Sequence, residues 1–123
     1  MLGALRHIVH AAGYSMAGLV FMMRSEISAR IHVVVVFLAV LWLAFLGRPL
    51  SNYLVVLMLA CILFALEAVN TAIEVVIDKL SPEHSKFAET VKDLGSAAVF
   101  FILSAGVLYL SAVTADAFGL IEL

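Results

Sequence analysis

From Leu94 to Ala115 the chain runs without one charged residue. That is long enough to cross a bilayer as a single helix, which needs about 20 mostly apolar residues. Two further stretches follow the same pattern. Ile31 to Gly47 is uncharged, and His32 is its only strongly polar member. Tyr53 to Leu66 is wholly apolar and then continues at helical spacing through Glu67, Asn70 and Glu74 to Ile77. A soluble domain of 123 residues exposes too much of its surface to hide three such runs. The whole chain is 65% hydrophobic and 13% charged, with a mean hydropathy of +1.18; soluble domains average about 45–50% and about 25%. The runs are continuous rather than alternating, and an open strand in lipid would leave backbone groups unpaired. These features predict an all-α membrane protein with three transmembrane helices, over about 31–47, 53–77 and 94–115.

The connecting segments fit one domain spanning residues 1–123, without repeats or linkers. Gly47 to Asn52 reads as a turn punctuated by Gly and Pro. Ser81 to Lys86 reads as a longer polar loop, with Ser81 and Pro82 breaking the second span. Basic residues set the orientation. Arg6, Arg24 and Arg30 precede the first span, Lys79, Lys86 and Lys92 lie between the second and third, and the intervening turn has only Arg48. The amino terminus and the second loop are therefore expected in the cytoplasm. Residues 2–24 form a further amphipathic segment, with Leu5, Val9, Ala12, Met16, Leu19 and Met23 recurring at helical spacing. A signal peptide is the rival reading, but His7, His10, Arg24, Glu26 and Arg30 suit a helix on the cytoplasmic membrane surface better. Cys61, the single cysteine, permits no internal disulfide and reads as buried apolar filler. A net charge of −2 excludes nucleic acid as an expected partner.

Charge inside a spanning helix is costly and usually faces protein or water. At about 100° per residue, Glu67, Glu74 and Asp78 fall within roughly 40° of one another, with Asn70 and Thr71 flanking. Glu67 and Glu74 are separated by about 10 Å along the axis, too far for one metal to bind both tightly. The spacing suits divided roles. Glu67, the deeper, is placed to take a proton from a lipid hydroxyl, and Glu74 to hold a hard cation together with phosphates near water. Lys92 and Asp93 lie at the same membrane level as Glu74, where Lys92 is placed to neutralise phosphate charge. Gly95 permits close approach of a backbone or ligand. There is no Gly-rich phosphate loop of the soluble kinases.

Glu67-Ala68-Val69-Asn70-Thr71-Ala72-Ile73-Glu74, then Asp78 and Lys92-Asp93, resembles the core of the bacterial diacylglycerol kinase and undecaprenol kinase family. Ala11 to Ser15, Gly18-Leu19, and Glu26 with Arg30 resemble its amino-terminal part. The resemblance implies a homotrimer of three-span protomers with surface helices and active sites shared between subunits, in the bacterial inner membrane. It implies Glu67 as general base, Asn70 as organiser of the site, and Glu26 and Glu74 as holders of Mg²⁺ with the ATP phosphates. Lys92, Asp93, Tyr14 and the loop Glu83-His84-Ser85 would lie near the nucleotide. His7, beside Arg6, stands where the diacylglycerol kinases often place an arginine and joins that set. Glu67, Ser96 and Arg30 would face the lipid.

The lipid acceptor divides two branches of the family. Gly95-Ser96-Ala97-Ala98-Val99 resembles the diacylglycerol kinases, whereas Arg30-Ile31-His32 and Ser81-Pro82-Glu83-His84 resemble the undecaprenol kinases. Diacylglycerol is the favoured substrate and undecaprenol the alternative. More distant readings are a small transporter using Glu67 as a buried proton carrier, and a non-catalytic assembly subunit using the polar stripe as glue.

Overall fold

A computed structural model describes residues 2–83 and 85–122, the side chains of Leu2, Ala4 and Leu5 excepted. Four α-helices carry nearly all of it: α1 Leu2–Ser25, α2 Ile27–Phe45, α3 Leu50–Leu80 and α4 Lys86–Ala117. The last three are long and apolar enough to cross a membrane. The expected three-span, all-helical architecture with a preceding amino-terminal helix is present.

Each boundary has a local cause. Between α1 and α2 the helix lapses for one residue, Glu26, whose backbone is extended at φ −105° and ψ 123°. α2 stops at Phe45, two residues short of the expected 47. Gly47 takes φ +63°, its N–H donates to Ala44 O, and that of Arg48 donates to Leu43 O. This is the paired closure of a Schellman motif, for which a glycine past the helix end is favoured. Pro49 then opens α3 from the N-cap position. Gly119, at φ +69°, closes α4 in the same way, with Gly119 N–H donating to Asp116 O and Leu120 N–H to Ala115 O. At the start of α4, Ser85 Oγ accepts from Ala88 N–H at 3.1 Å, an N-cap contact that stabilises the helix by about 0.5–2 kcal/mol.

α3 and α4 pair along most of their length, and α2 packs on α3. Small residues line the contacts: Ala29, Ala39, Ala60, Ala88 and Gly95 are all buried. Within lipid there is little hydrophobic drive between helices, so close backbone approach and polar contacts hold them together. A cluster of Ala39, Leu43, Val56 and Val113 forms a core toward the Gly47 turn. Polar side chains tie the same end: Arg48 to Asp116 at 2.5 Å, Asn52 Nδ2 donating to Tyr109 Oη at 2.8 Å, and Trp42 Nε1 donating to Thr114 Oγ1 at 2.9 Å.

One expectation is corrected. Cys61 is exposed rather than buried, on a flank of α3 that this chain leaves uncovered. The apolar stripe of α1, expected to lie on the membrane surface, is left uncovered by the rest of this chain: Val9, Met16 and Leu19 are exposed. α1 packs against the rest of the chain through Met22, 2% exposed and about 100° from the stripe's centre.

Candidate active site

The second span is continuous helix from its apolar half into its polar half, since neither Gly nor Pro interrupts residues 50–80. The polar stripe therefore emerges from the bundle in graded steps. Glu67 is buried at 2% exposure, Thr71 at 4%, Asn70 and Glu74 are half-buried, and Asp78 is exposed. The residues expected on one face are on one face, and their access to water increases toward the Ser81 loop.

Each step has its own partner. Glu67 Oε1 lies 2.5 Å from Nδ1 of His32, itself 9% exposed, on α2. Asn70 Nδ2 donates to Glu74 Oε1 at 3.0 Å. Its Oδ1 is enclosed without a partner against the backbone of α4 at Gly95. The close approach expected at Gly95 is thus made by Asn70 itself. At the wet end, Lys92 Nζ donates to Asp78 Oδ1 across the α3–α4 pair. A crevice of about 270 Å³ opens beside it, lined by Asp78, Ser81, Glu83, Glu89, Lys92 and Asp93. Ser81 and Ser85 hydroxyls meet at 2.9 Å and close the base of the loop.

The other expected residues are more scattered. Glu26 is half-buried at the α1–α2 break, and its side chain makes no capping bond. Arg30 and Ser96 are exposed. His7 and Tyr14 are exposed on α1, and among the described residues no hydrogen bond or ion pair joins them to the stripe. His84 lies outside the described residues. Sequence reasoning noted His32 as the one strongly polar residue of the first span without placing it in the site. Its depth was the available signal: His32 and Glu67 lie at comparable distances from the Gly47 turn in an antiparallel helix pair.

Known proteins are similar to this chain over most of its length. The model of the prokaryotic diacylglycerol kinase family matches residues 13–114. A diacylglycerol kinase of Pseudomonas aeruginosa is 37% identical over 102 residues, covering 81% of each chain. One from Sinorhizobium is 32% identical over 105 residues, 85% of this chain and 76% of that one. The Escherichia coli K12 diacylglycerol kinase is 32% identical over 101 residues, 82% and 83% of the two chains. The matched region takes in the buried Glu67, the Asn70–Glu74 pair and Lys92-Asp93, so the chain is an enzyme of the prokaryotic diacylglycerol kinase family, membrane proteins that phosphorylate a lipid alcohol.

Proposed function

We propose that this protein transfers the γ-phosphoryl group of ATP to the free hydroxyl of diacylglycerol, giving phosphatidic acid at the cytoplasmic face of the bacterial inner membrane. The observation that carries the reading is the graded stripe. It holds a buried carboxylate at lipid depth, an amide–carboxylate pair above it, and a lysine–aspartate pair at the water end. A diacylglycerol hydroxyl sits just below the headgroups, whereas the nucleotide arrives from water, so the two substrates meet along this axis.

Glu67 accepts the hydroxyl proton as the new O–P bond forms and the bond to the ADP oxygen breaks. Asn70 holds Glu74 by its amide and so fixes the shallower carboxylate. Lys92 and Asp93 border the crevice in which phosphates would lie, and positioning with charge neutralisation is most of what phosphoryl transfer needs. The donor set fits Mg²⁺, which takes one or two carboxylates and keeps water and phosphate oxygens for the rest. Glu74 is half-buried beside the crevice end, and the Glu26 carboxylate is not consumed by capping. Bound there, the ion would draw charge from the phosphate oxygens.

The exposed His7 and Tyr14 support a shared site, since in one chain they make no bond to the stripe. That is compatible with the homotrimer the family resemblance implies, in which α1 would serve a neighbouring stripe. The distribution of basic residues supports a cytoplasmic amino terminus and second loop. The test is phosphate transfer by the purified protein from labelled ATP in mixed micelles, with diacylglycerol and undecaprenol in parallel. Phosphatidic acid formed at the higher kcat/KM is the expected result. Preference for undecaprenol would reassign the acceptor, and no transfer to either lipid would remove the reading.

A further inference from the structure

The deepest member of the stripe has a partner that phosphoryl transfer, as set out above, does not use. His32 and Glu67 come from different helices, are 9% and 2% exposed, and bring Nδ1 and Oε1 within 2.5 Å. Either group alone at this depth would be a costly buried polar group. The contact is close but off the hydrogen-bond axis, leaving both atoms without a regular hydrogen bond. Catalytic hydrogen bonds in unliganded sites are often misaligned and tighten when substrate arrives. Thr71, one turn along α3, does not bond to the carboxylate, and its own Oγ1 is unpartnered. Among the described residues, His32 is therefore the single side chain placed to orient Glu67. Of the two carboxylate oxygens only Oε1 is sealed in without a hydrogen bond, and it is the one facing the imidazole.

We propose that His32 is a positioning residue for Glu67: its Nδ1–H holds Oε1 and presents Oε2 to the lipid hydroxyl. The inference rests on the reading of Glu67 as general base. A glutamate has three rotatable bonds, and a base gains efficiency when a third group fixes it, as in other nucleophile–base–orienter sets. No proton needs to leave His32. The hydroxyl proton goes to Oε2, the lipid oxygen bonds phosphorus, and the carboxylic acid later returns the proton to solvent.

The test compares His32→Leu, His32→Asn, His32→Gln, Glu67→Gln and the double variant His32→Leu/Glu67→Gln. Each is assayed with ATP and diacylglycerol in micelles, and kcat is expressed per ATP-binding protein. His32→Leu should lower kcat roughly 10–100-fold, a part of what general-base catalysis supplies, with KM for ATP essentially unchanged. Asn places an amide nitrogen near the Nδ1 position and should recover most of the loss. Gln places it nearer Nε2 and should not. Added to Glu67→Gln, the leucine should lower kcat no further. A double variant slower by the product of the two single factors would overturn the positioning role while leaving Glu67 as base. Near-normal turnover of Glu67→Gln would remove the base reading and this inference with it. If His32→Leu yields no ATP-binding protein, the Asn and Gln variants carry the test, and equal kcat in those two would overturn the inference.

Discussion

A side chain at position 95 and the amide of Asn70 would claim the same space. A Cβ built on Gly95 falls well inside van der Waals contact with Asn70 Oδ1 and 3.3 Å from its Cγ. The obstructing atom is the end of a flexible side chain, so Gly95→Ala displaces Asn70 rather than the helices. Alanine's helix propensity gains about 0.5–1 kcal/mol, and the lost Asn70–Glu74 hydrogen bond costs about 0.5–1.5 kcal/mol. Thermal stability in detergent should therefore barely change. Turnover should fall roughly 10–100-fold, the scale of a small misplacement in an active site. Unchanged kcat would show that the Asn70 amide is not needed where it stands.

Glu67→Gln keeps the shape of the buried residue and removes its capacity to accept a proton. It should insert, assemble and bind ATP, yet lose roughly two or more orders of magnitude in turnover. Turnover and nucleotide affinity measured on one preparation decide the matter. Lost nucleotide binding would make its role structural, and that result would count against the chemistry proposed above.

Glu74→Gln keeps an acceptor for Asn70 but removes the charge that would face a cation. Its Mg²⁺ requirement and its ATP affinity should weaken together, with the fold intact by circular dichroism. A normal response of activity to Mg²⁺ titration would take Glu74 out of the metal site.

Orientation can be read by impermeant thiol labelling of intact cells, in a Cys61→Ala background because Cys61 is exposed. Cysteines at Ser51 and Glu83, both exposed, avoid the capping role of Ser85. Ser51→Cys should label and Glu83→Cys should not. The reverse pattern would invert the proposed topology.

At the opposite end of the bundle, Arg48 and Asp116 are only 19% and 21% exposed. Arg48→Met should cost about 1.5–3 kcal/mol, the range for hydrogen bonds to charged groups, read as a lower unfolding temperature in detergent. Its kcat below the transition should match the parent protein. A selective fall in kcat would show that this end takes part in turnover.

The spans and the stripe were legible because each rests on periodicity within one helix: uncharged runs for the first, recurrence of Glu67, Asn70, Glu74 and Asp78 for the second. The helix termini were read less well. The α2 end depends on Gly47 adopting a positive φ and drawing Arg48 N–H back to Leu43, whereas hydropathy registers only lack of charge. The His32–Glu67 contact joins two helices, and relative rotation of helices is a packing outcome with no period in the sequence. The exposure of Cys61 has the same origin, since which flank of an all-apolar helix is covered depends on its neighbours. The grading of the stripe from Glu67 to Asp78 needed both kinds of information: the period placed the residues on one face, and α2 and α4 decided how far down that face water reaches.

α3 joins the Arg48–Asp116 end to Asp78 without a glycine, a proline or a break. Sharp kinks in helices arise almost always at such interruptions, so the helix has no hinge between its anchorage and its carboxylates. At 31 residues it is a strut about 46 Å long, longer than the roughly 30 Å hydrocarbon layer. The backbone positions of Glu67, Asn70 and Glu74 therefore share one helix segment that has no hinge between them. Breaks in helix lie elsewhere, at Glu26 between α1 and α2 and between the end of α3 at Leu80 and the start of α4 at Lys86. The row of polar side chains thus stands on one unbroken support, and any adjustment to a ligand falls to side-chain rotation and to the helices packed against it.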